Sequence, residues 1–434
     1  MTKKNFSIIK HITLAFLLFY LPQIAAADPA AQLQSLILNT GDVQTARNEY
    51  LLSKVNVKVR EAETMPQVSA YTNSNLSIAR EVDRRNAVRF TDEDLDYFDV
   101  VTSVEHNLYD FGKAENEISA LSSRSDAARL RFLEAFEREL DSLLQERLTA
   151  DVETIRTSIL QNLVTELLDF EKRANNRFRS GVGTLAEARE VSLLILDAQN
   201  NLAESEKRQA ELLQRMKARY GSVPESPDAS FFASLGEKFD QVELAPTPNS
   251  LQALMRAQEG FEFETKALEV SRMPTFDLGG RLTIIDVTRG LNEYDMTVGV
   301  TVRMPLYDGG ANAARQTELS YRKQIEEQKK RAILQDKSQK LEVILLDRTR
   351  LLEKMTNAQD RLKTIAEKLR ELDIRRDATG TSINELAETI VDQANAKIVV
   401  ETNPLEVLKL LVAQHGVTET LLSALNIAPN PERF

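Results

Sequence analysis

The chain has 434 residues, enough for two or three ordinary domains, yet it carries no Trp, no Cys, only 12 Pro and 15 Gly, and 28% charged residues. Low Gly and Pro with long charged, Leu/Ala-rich tracts suit extended helices better than compact, loop-rich domains. A net charge of −11 argues against non-specific binding to nucleic acid or anionic lipid, and the lack of Cys excludes disulfides, thiol chemistry and an acylated N-terminal cysteine.

Residues 1–27 read as a removable export signal. Lys3, Lys4 and Lys10 form a basic start, Ile12 to Leu21 is an apolar run of ten, and Ala25-Ala26-Ala27 offers a small-residue cleavage site before Asp28. The run is well short of the roughly 20 residues that a spanning helix needs. No later stretch is a candidate transmembrane helix, so any crossing by the mature chain falls to β-strands.

From Pro29 to about Glu63 the pattern is helical, with Leu33, Leu36, Ile37, Leu51, Leu52, Val55 and Val59 to one side. Met65-Pro66 ends it, because proline disfavours helix in the residue before it. Gln67 to Ala79 reads as a strand: Val68, Ala70, Leu76 and Ile78 share one parity, Ser69, Asn73, Asn75 and Ser77 the other. A charged loop, Arg80 to Tyr97, leads to a return strand in which Phe98, Val100, Thr102 and Val104 alternate with Asp99, Val101, Ser103 and Glu105. Asp110 to Arg177 is proline-free and helix-compatible, with Leu133, Phe136, Leu140, Leu144, Leu148, Val152, Ile155 and Ile159 recurring every three or four residues. A turn at Ser180-Gly181-Val182-Gly183 sends the chain back to about Tyr220-Gly221.

A Pro/Ser-rich interlude at 223–248 precedes a helix from Asn249 to Met273. The second hairpin is clearer than the first. Phe276, Leu278, Leu282 and Ile284 alternate with Asp277, Gly279, Arg281 and Thr283; after a short loop (Asp286 to Tyr294), Met296, Val298, Val300, Val302 and Met304 interleave with Thr297, Gly299, Thr301 and Arg303. Period-two alternation over about ten residues per strand is the mark of a water-filled transmembrane barrel. A soluble antiparallel sheet with one face on a core has the same pattern. The export signal, and the want of any segment to cover two lone hairpins, favour the barrel. The second rod carries Leu341, Leu345, Leu352, Met355, Leu362, Ile365, Leu369 and Leu372, then a turn at Thr379-Gly380 and a final return helix. Asn403-Pro404 predicts a kink or restart there, and 402–404 is the rival candidate for the tip turn.

Leu108, Tyr109, Asp110, Glu187 and Glu190 recur as Leu306, Tyr307, Asp308, Glu385 and Glu388, every one displaced by 198 positions. A shared register at both ends of a long span predicts a duplicated unit. The expected organisation is a first repeat at 28–222 (β-hairpin 67–109, helical hairpin 112–220), the interlude at 223–248, a second repeat at 249–428 (β-hairpin 275–306, helical hairpin 310–425) and a tail at 429–434. Periodic helices this long imply coiled-coil packing, and at 1.5 Å per residue each rod reaches about 100 Å.

This order resembles the TolC-type outer membrane efflux protein family over essentially the whole mature chain. The residues that carry the resemblance are the paired Leu-Tyr-Asp-x-Gly strand-to-helix junctions (Tyr109, Asp110, Gly112; Tyr307, Asp308, Gly310) and the tip turns Arg177-x-x-x-Gly181 and Arg376-x-x-x-Gly380. The resemblance implies an α+β membrane protein of the Gram-negative outer membrane. In it a long α-helical coiled-coil barrel in the periplasm continues a transmembrane β-barrel, four strands per chain and twelve in a homotrimer. Physics points the same way: four strands cannot close, and open edges are not viable in lipid.

Nothing in the sequence suggests catalysis, a cofactor or a metal: His106 and His415 lie far apart, and no phosphate-binding glycine loop or Ser elbow occurs. The resemblance places Glu385 and Glu388, with Glu187 and Glu190 as first-copy equivalents, at a periodic ring of negative charge around the periplasmic entrance. A surface-exposed helix start, where Glu suits the dipole, is the plainer reading. Arg177, Gly181, Gly183, Arg376 and Gly380 mark the tips, where a periplasmic adaptor and an inner-membrane pump or ABC transporter would dock. Family members bear a basic or aromatic lock beside the turn; Asp377 and Ser382 stand there, with Arg375 and Arg376 as substitutes. The expected function is a passive exit duct for multidrug efflux or type I secretion, without nucleic acid as a partner. Two rivals are a periplasmic adaptor, expected to show one hairpin and compact β-domains, and a coiled-coil adhesin without a pore.

Overall fold

The computed structural model describes residues 29–75, 97–225, 247–287, 291, 293–379 and 382–432. The export signal, the charged loop at 80–96, most of the 223–248 interlude, Gly380 and Phe434 lie outside the described residues.

Helices α1 (Pro29–Leu38) and α2 (Gly41–Glu63) stand where one helix was expected. The break has a local cause. The Thr40 hydroxyl donates to the Ile37 carbonyl at 2.8 Å, and the Thr40 carbonyl accepts from Gln44 N at 3.0 Å, which puts Thr40 at the cap position just before a new helix.

Strands β1 (Gln67–Asn75), β2 (Tyr97–Tyr109), β3 (Thr275–Ile284) and β4 (Tyr294–Arg303) form one antiparallel sheet in that order. Residues directly opposite each other share a face. The register therefore aligns Val68, Val104, Gly280 and Val298 in one row and Ala70, Thr102, Leu282 and Met296 in the next, on one apolar face. Gln67, Glu105, Gly279 and Gly299, then Ser69, Ser103, Arg281 and Thr297, line the opposite, polar face. A bulge between Asn107 and Tyr109 sets two β2 residues against one and turns Tyr109 to the side of Phe276. Hydrogen bonds from Asn107 to Asp277 (2.7 Å) and between Ser69 and Ser103 (2.8 Å) cross the polar face.

The apolar face is bare: Met296, Val298, Val300 and Val302 are 57–69% exposed. Among the described residues β1 and β4 pair on one side only. Among the described residues one chain thus makes an open four-stranded sheet and not a closed barrel.

The other elements among the described residues are helical. Helix α3 (Lys113–Arg179, 67 residues) and α4 (Leu185–Tyr220) follow the first hairpin; α5 (Asn249–Val270) precedes the second; α6 (Ala311–Thr379, 69 residues), α7 (Ile383–Thr418) and the short α8 (Leu421–Ala424) follow it. The starts of α6 and α7 fall 198 positions after those of α3 and α4. Residues 402–404 lie inside α7, so helix continues through Pro404 without a restart, and the two long helices are bounded by Thr379 and Ile383. Asn403 stays in the helix and spends its side chain on the Leu351 carbonyl, 3.2 Å away.

The described residues divide into two compact units, each drawn from both halves of the chain. One lies within Met1–Gln44, Ala135–Pro246 and Lys337–Asn430; the other, within Thr45–Glu134, Thr247–Asp336 and Pro431–Phe434, holds the sheet. In the first unit Leu163, Leu167, Phe170, Val191, Leu372, Ala387 and Ile390 form the hydrophobic core at the helix ends. Each of the Leu, Phe, Val and Ile side chains among them contributes about 1.5–3 kcal/mol when fully buried. The two rods differ in a way their common periodicity does not foretell. Phe136, Leu140, Leu144 and Leu148 of α3 are buried, whereas Leu345 and Leu352 of α6, with Val343 and Leu346, are exposed.

Candidate functional site

The two strand-to-helix junctions, both in the sheet-bearing unit, repeat one geometry. The Asp110 carboxylate accepts from Gly112 N at 3.0 Å and Ala114 N at 2.7 Å; the Asp308 carboxylate accepts from Gly310 N at 3.0 Å and Asn312 N at 2.9 Å. Each Asp thus serves the first N–H groups of a long helix, which have no partner within it. The two residues after each Asp adopt positive φ: Phe111 (58°) and Gly112 (81°), Gly309 (65°) and Gly310 (87°). Two consecutive left-handed residues favour glycine, and only the first junction puts a side chain there, that of Phe111. The Phe111 ring lies 4.7 Å from that of Tyr109, which partners Phe276 at 6.5 Å. The N–H groups of Asn312 and Gly310 hold the Asp308 carboxyl below its usual range. Tyr307 is 89% exposed, and Tyr109 is also exposed.

At the first tip α3 ends in a Schellman motif: Val182 N bonds to the Arg177 carbonyl and Gly181 N to the Phe178 carbonyl, both at 3.0 Å, with Gly181 at φ 74°. Gly183 is needed for space, since a Cβ there would lie 3.0 Å from the Arg177 Cβ and 3.1 Å from Glu187 Oε2. A capping box then opens α4: Glu187 N donates to Thr184 Oγ1 at 3.2 Å, and Thr184 N donates to Glu187 Oε2 at 3.4 Å. The Thr-x-x-Glu spacing at 184–187 carries that signal in the sequence. At the second tip the Ser382 hydroxyl accepts from Asn384 N at 3.3 Å. The side chains of Arg375, Arg376 and Asp377 lie outside the described residues.

Within one chain the four candidate carboxylates do different things. Glu187 closes its capping box, while Glu190 accepts from Asn384 Nδ2, a contact that joins α4 to the start of α7. Glu385 lies 3.8 Å from Lys368 of α6, both half exposed, and Glu388 is exposed. Arg361 and Asp392 tie the same two helices at 2.8 Å. Exposed pairs of this kind are worth about 0–1 kcal/mol each. Asn384, Lys368 and Thr184 escaped the sequence reading as site residues; for the first two no periodic or motif signal exists, because their partners come from other helices.

No family model matches the chain, and no curated protein matches it. Among solved structures it is similar to the outer membrane protein VceC from Vibrio cholerae (TM-score 0.73, 12% identity, covering 90% of this chain and 95% of that one). It is likewise similar to the CmeC outer membrane channel of Campylobacter jejuni (0.72, 12%, 90% and 85%). The open-state MtrE outer membrane channel of Neisseria gonorrhoeae gives 0.71 at 12% identity, covering 90% and 88%. At such identities the likeness speaks for the fold: the chain has the fold of these outer-membrane channels, in keeping with the TolC-like resemblance of its junctions and tips.

Proposed function

We propose that this chain, with the fold of outer-membrane efflux channels, is one of three identical subunits of a passive exit duct through which an efflux pump or a type I secretion system discharges its cargo. The observation that carries this reading is the bare apolar face of the sheet together with its two one-sided edge strands. In lipid, an open edge leaves backbone N–H and C=O groups without partners. Joining β4 of one copy to β1 of the next in a ring of three removes every edge and closes twelve strands, polar face inward. The same assembly gives the exposed Val343, Leu345, Leu346 and Leu352 of α6 a neighbour.

The export signal delivers the chain to the periplasm and the outer membrane of a Gram-negative cell. The 198-position register of junctions and helix starts supports two internal repeats. In the trimer the tips would meet a periplasmic adaptor and, through it, an inner-membrane pump or ABC transporter. Glu385 and Glu388 from three subunits would make a ring that favours cations, with Glu187 and Glu190 beside it. The chain supplies no energy and acts as a channel, not an enzyme. Among the described residues no group of His, Asp and Glu could hold a metal ion, and no helix is long and apolar enough to cross a membrane.

Membrane fractionation with crosslinking tests the assembly: an outer-membrane trimer is expected, and a soluble periplasmic monomer ends the reading. Deleting the gene and scoring drug sensitivity beside the secreted proteome then assigns the cargo.

A further inference from the structure

The polar face of the sheet has one residue out of pattern. Val101 lies between Asp99 and Ser103 in parity, yet it is 4% exposed. Its register partners are Tyr71 on β1 and Thr283 on β3. Arg281, whose own register partner is Ser103, reaches diagonally across β2 and donates from Nη2 to the Tyr71 hydroxyl at 2.8 Å. The bond thus ties the guanidinium of β3 across β2 to a side chain of β1 on the same face.

The surroundings of Arg281 are acidic. Asp99, Glu105, Asp277 and Asp295 share its face, with Arg303 as the other cation among the described residues of the strands. Asp277 accepts from Asn107, and Asp99 from Asp286 N at 3.0 Å. Glu105 stands in the adjoining row, where β3 and β4 present only Gly279 and Gly299, so no side chain of those strands flanks it.

From this arrangement we infer that Arg281 sets the charge preference of the barrel lumen and that Tyr71 positions it there. The inference rests on the duct reading, under which three guanidiniums form a ring between the level of Glu105 and that of Asp295. A positive ring in a narrow aqueous pore opposes the cation preference that the carboxylates create. Holding each guanidinium flat keeps the ring wide and the passage open. Tyr71 suits the task, since it stands opposite Val101 in the register while its hydroxyl accepts from the cation.

Reversal potentials of the purified full-length channel in planar bilayers under a KCl gradient test the assignment. Arg281→Gln is expected to raise the cation-over-anion permeability ratio about twofold, and Glu105→Gln to lower it by a similar factor. Arg281→Lys should keep the wild-type ratio, because it keeps the charge. Tyr71→Phe should keep the ratio near wild type but lower single-channel conductance, since the released guanidinium is free to enter the passage. A wild-type ratio in Arg281→Gln, from a variant that still forms conducting trimers, overturns the inference and leaves the duct reading standing. Wild-type protein that forms no channel at all overturns both.

Discussion

Lys337 of α6 lies 2.7 Å from Glu419, both side chains being about nine-tenths buried, and the same ammonium donates to the Val417 carbonyl at 2.6 Å. Glu419 takes a left-handed conformation (φ 55°) as α7 ends, and the chain turns there into α8, whose Leu422 N–H donates to Glu137 of α3 at 3.3 Å. A buried cation, two buried carboxylates and one strained residue therefore fix the end of α7 onto α3 and α6.

Removing one partner of that pair strands the other. Lys337→Met is expected to destabilise the protein by about 3–5 kcal/mol, since it leaves the Glu419 carboxylate buried without its counter-charge. Lys337→Met combined with Glu419→Gln should recover a good part of the loss. Urea unfolding of the two variants compares them; equal destabilisation in both sinks the argument.

Glu137 makes the same junction sensitive to pH. Burial pushes its carboxyl from the ordinary 4.5 up to about 8, against the lowering effect of the Leu422 and Leu421 N–H groups, with Glu419 raising it and Lys337 lowering it. A folded-state value above the unfolded one means that the folded form holds the proton longer. The stabilisation is thus complete below about 4.5 and lost as pH rises through about 8. Stability should fall between pH 5 and pH 9 by on the order of 4 kcal/mol. Burial also raises Asp141, from 3.8 to about 6, so its share is lost earlier in the same direction. Glu137→Gln should flatten the alkaline part of the curve; a wild-type slope in that variant refutes the assignment.

The junctions offer a pair of matched substitutions. Asp110→Ala and Asp308→Ala should each cost about 0.5–2 kcal/mol through loss of the helix-start bonds. Gly310→Ala, at φ 87°, should cost about 1–2 kcal/mol more than an alanine in ordinary helix. Phe111→Gly removes left-handed strain and an aromatic contact together, so a near-zero net change is expected in thermal melts. A loss above about 2 kcal/mol would show that the ring contact dominates.

At the tips, Glu385→Gln with Glu388→Gln is expected to reduce cation preference in planar bilayers. Unchanged selectivity in a conducting double variant rules out the ring. Asn384→Ala frees Glu190 from α7 and should raise the opening frequency without altering selectivity. If opening is unaffected, that contact does not restrain the tip.

Much was written in local pattern. Period-two alternation marked all four strands, three-to-four periodicity marked both rods, and Leu-Tyr-Asp-x-Gly marked the places where strand becomes helix, because those signals depend on neighbours along the chain. The break at Asn39-Thr40 interrupts the helical periodicity of 29–63, and a Thr before Gly-Asp is itself a helix-start signal. At Asn403-Pro404 the helix does not restart: it runs on through Pro404, with the Asn403 side chain bonded to the Leu351 carbonyl.

What the amino-acid order determined alone was the four strands, the long helices, the polarity of the strand faces and the 198-residue register. Tertiary structure alone decided that Phe136, Leu140, Leu144 and Leu148 of α3 are buried while Val343, Leu345, Leu346 and Leu352 of α6 are exposed, that Glu190 meets Asn384 and Glu385 meets Lys368, and that Arg281 leans on Tyr71. The reason is one of range. Periodicity tells which side of an element is apolar, whereas the partner on that side comes from residues far along the chain, whose placement only the folded register supplies.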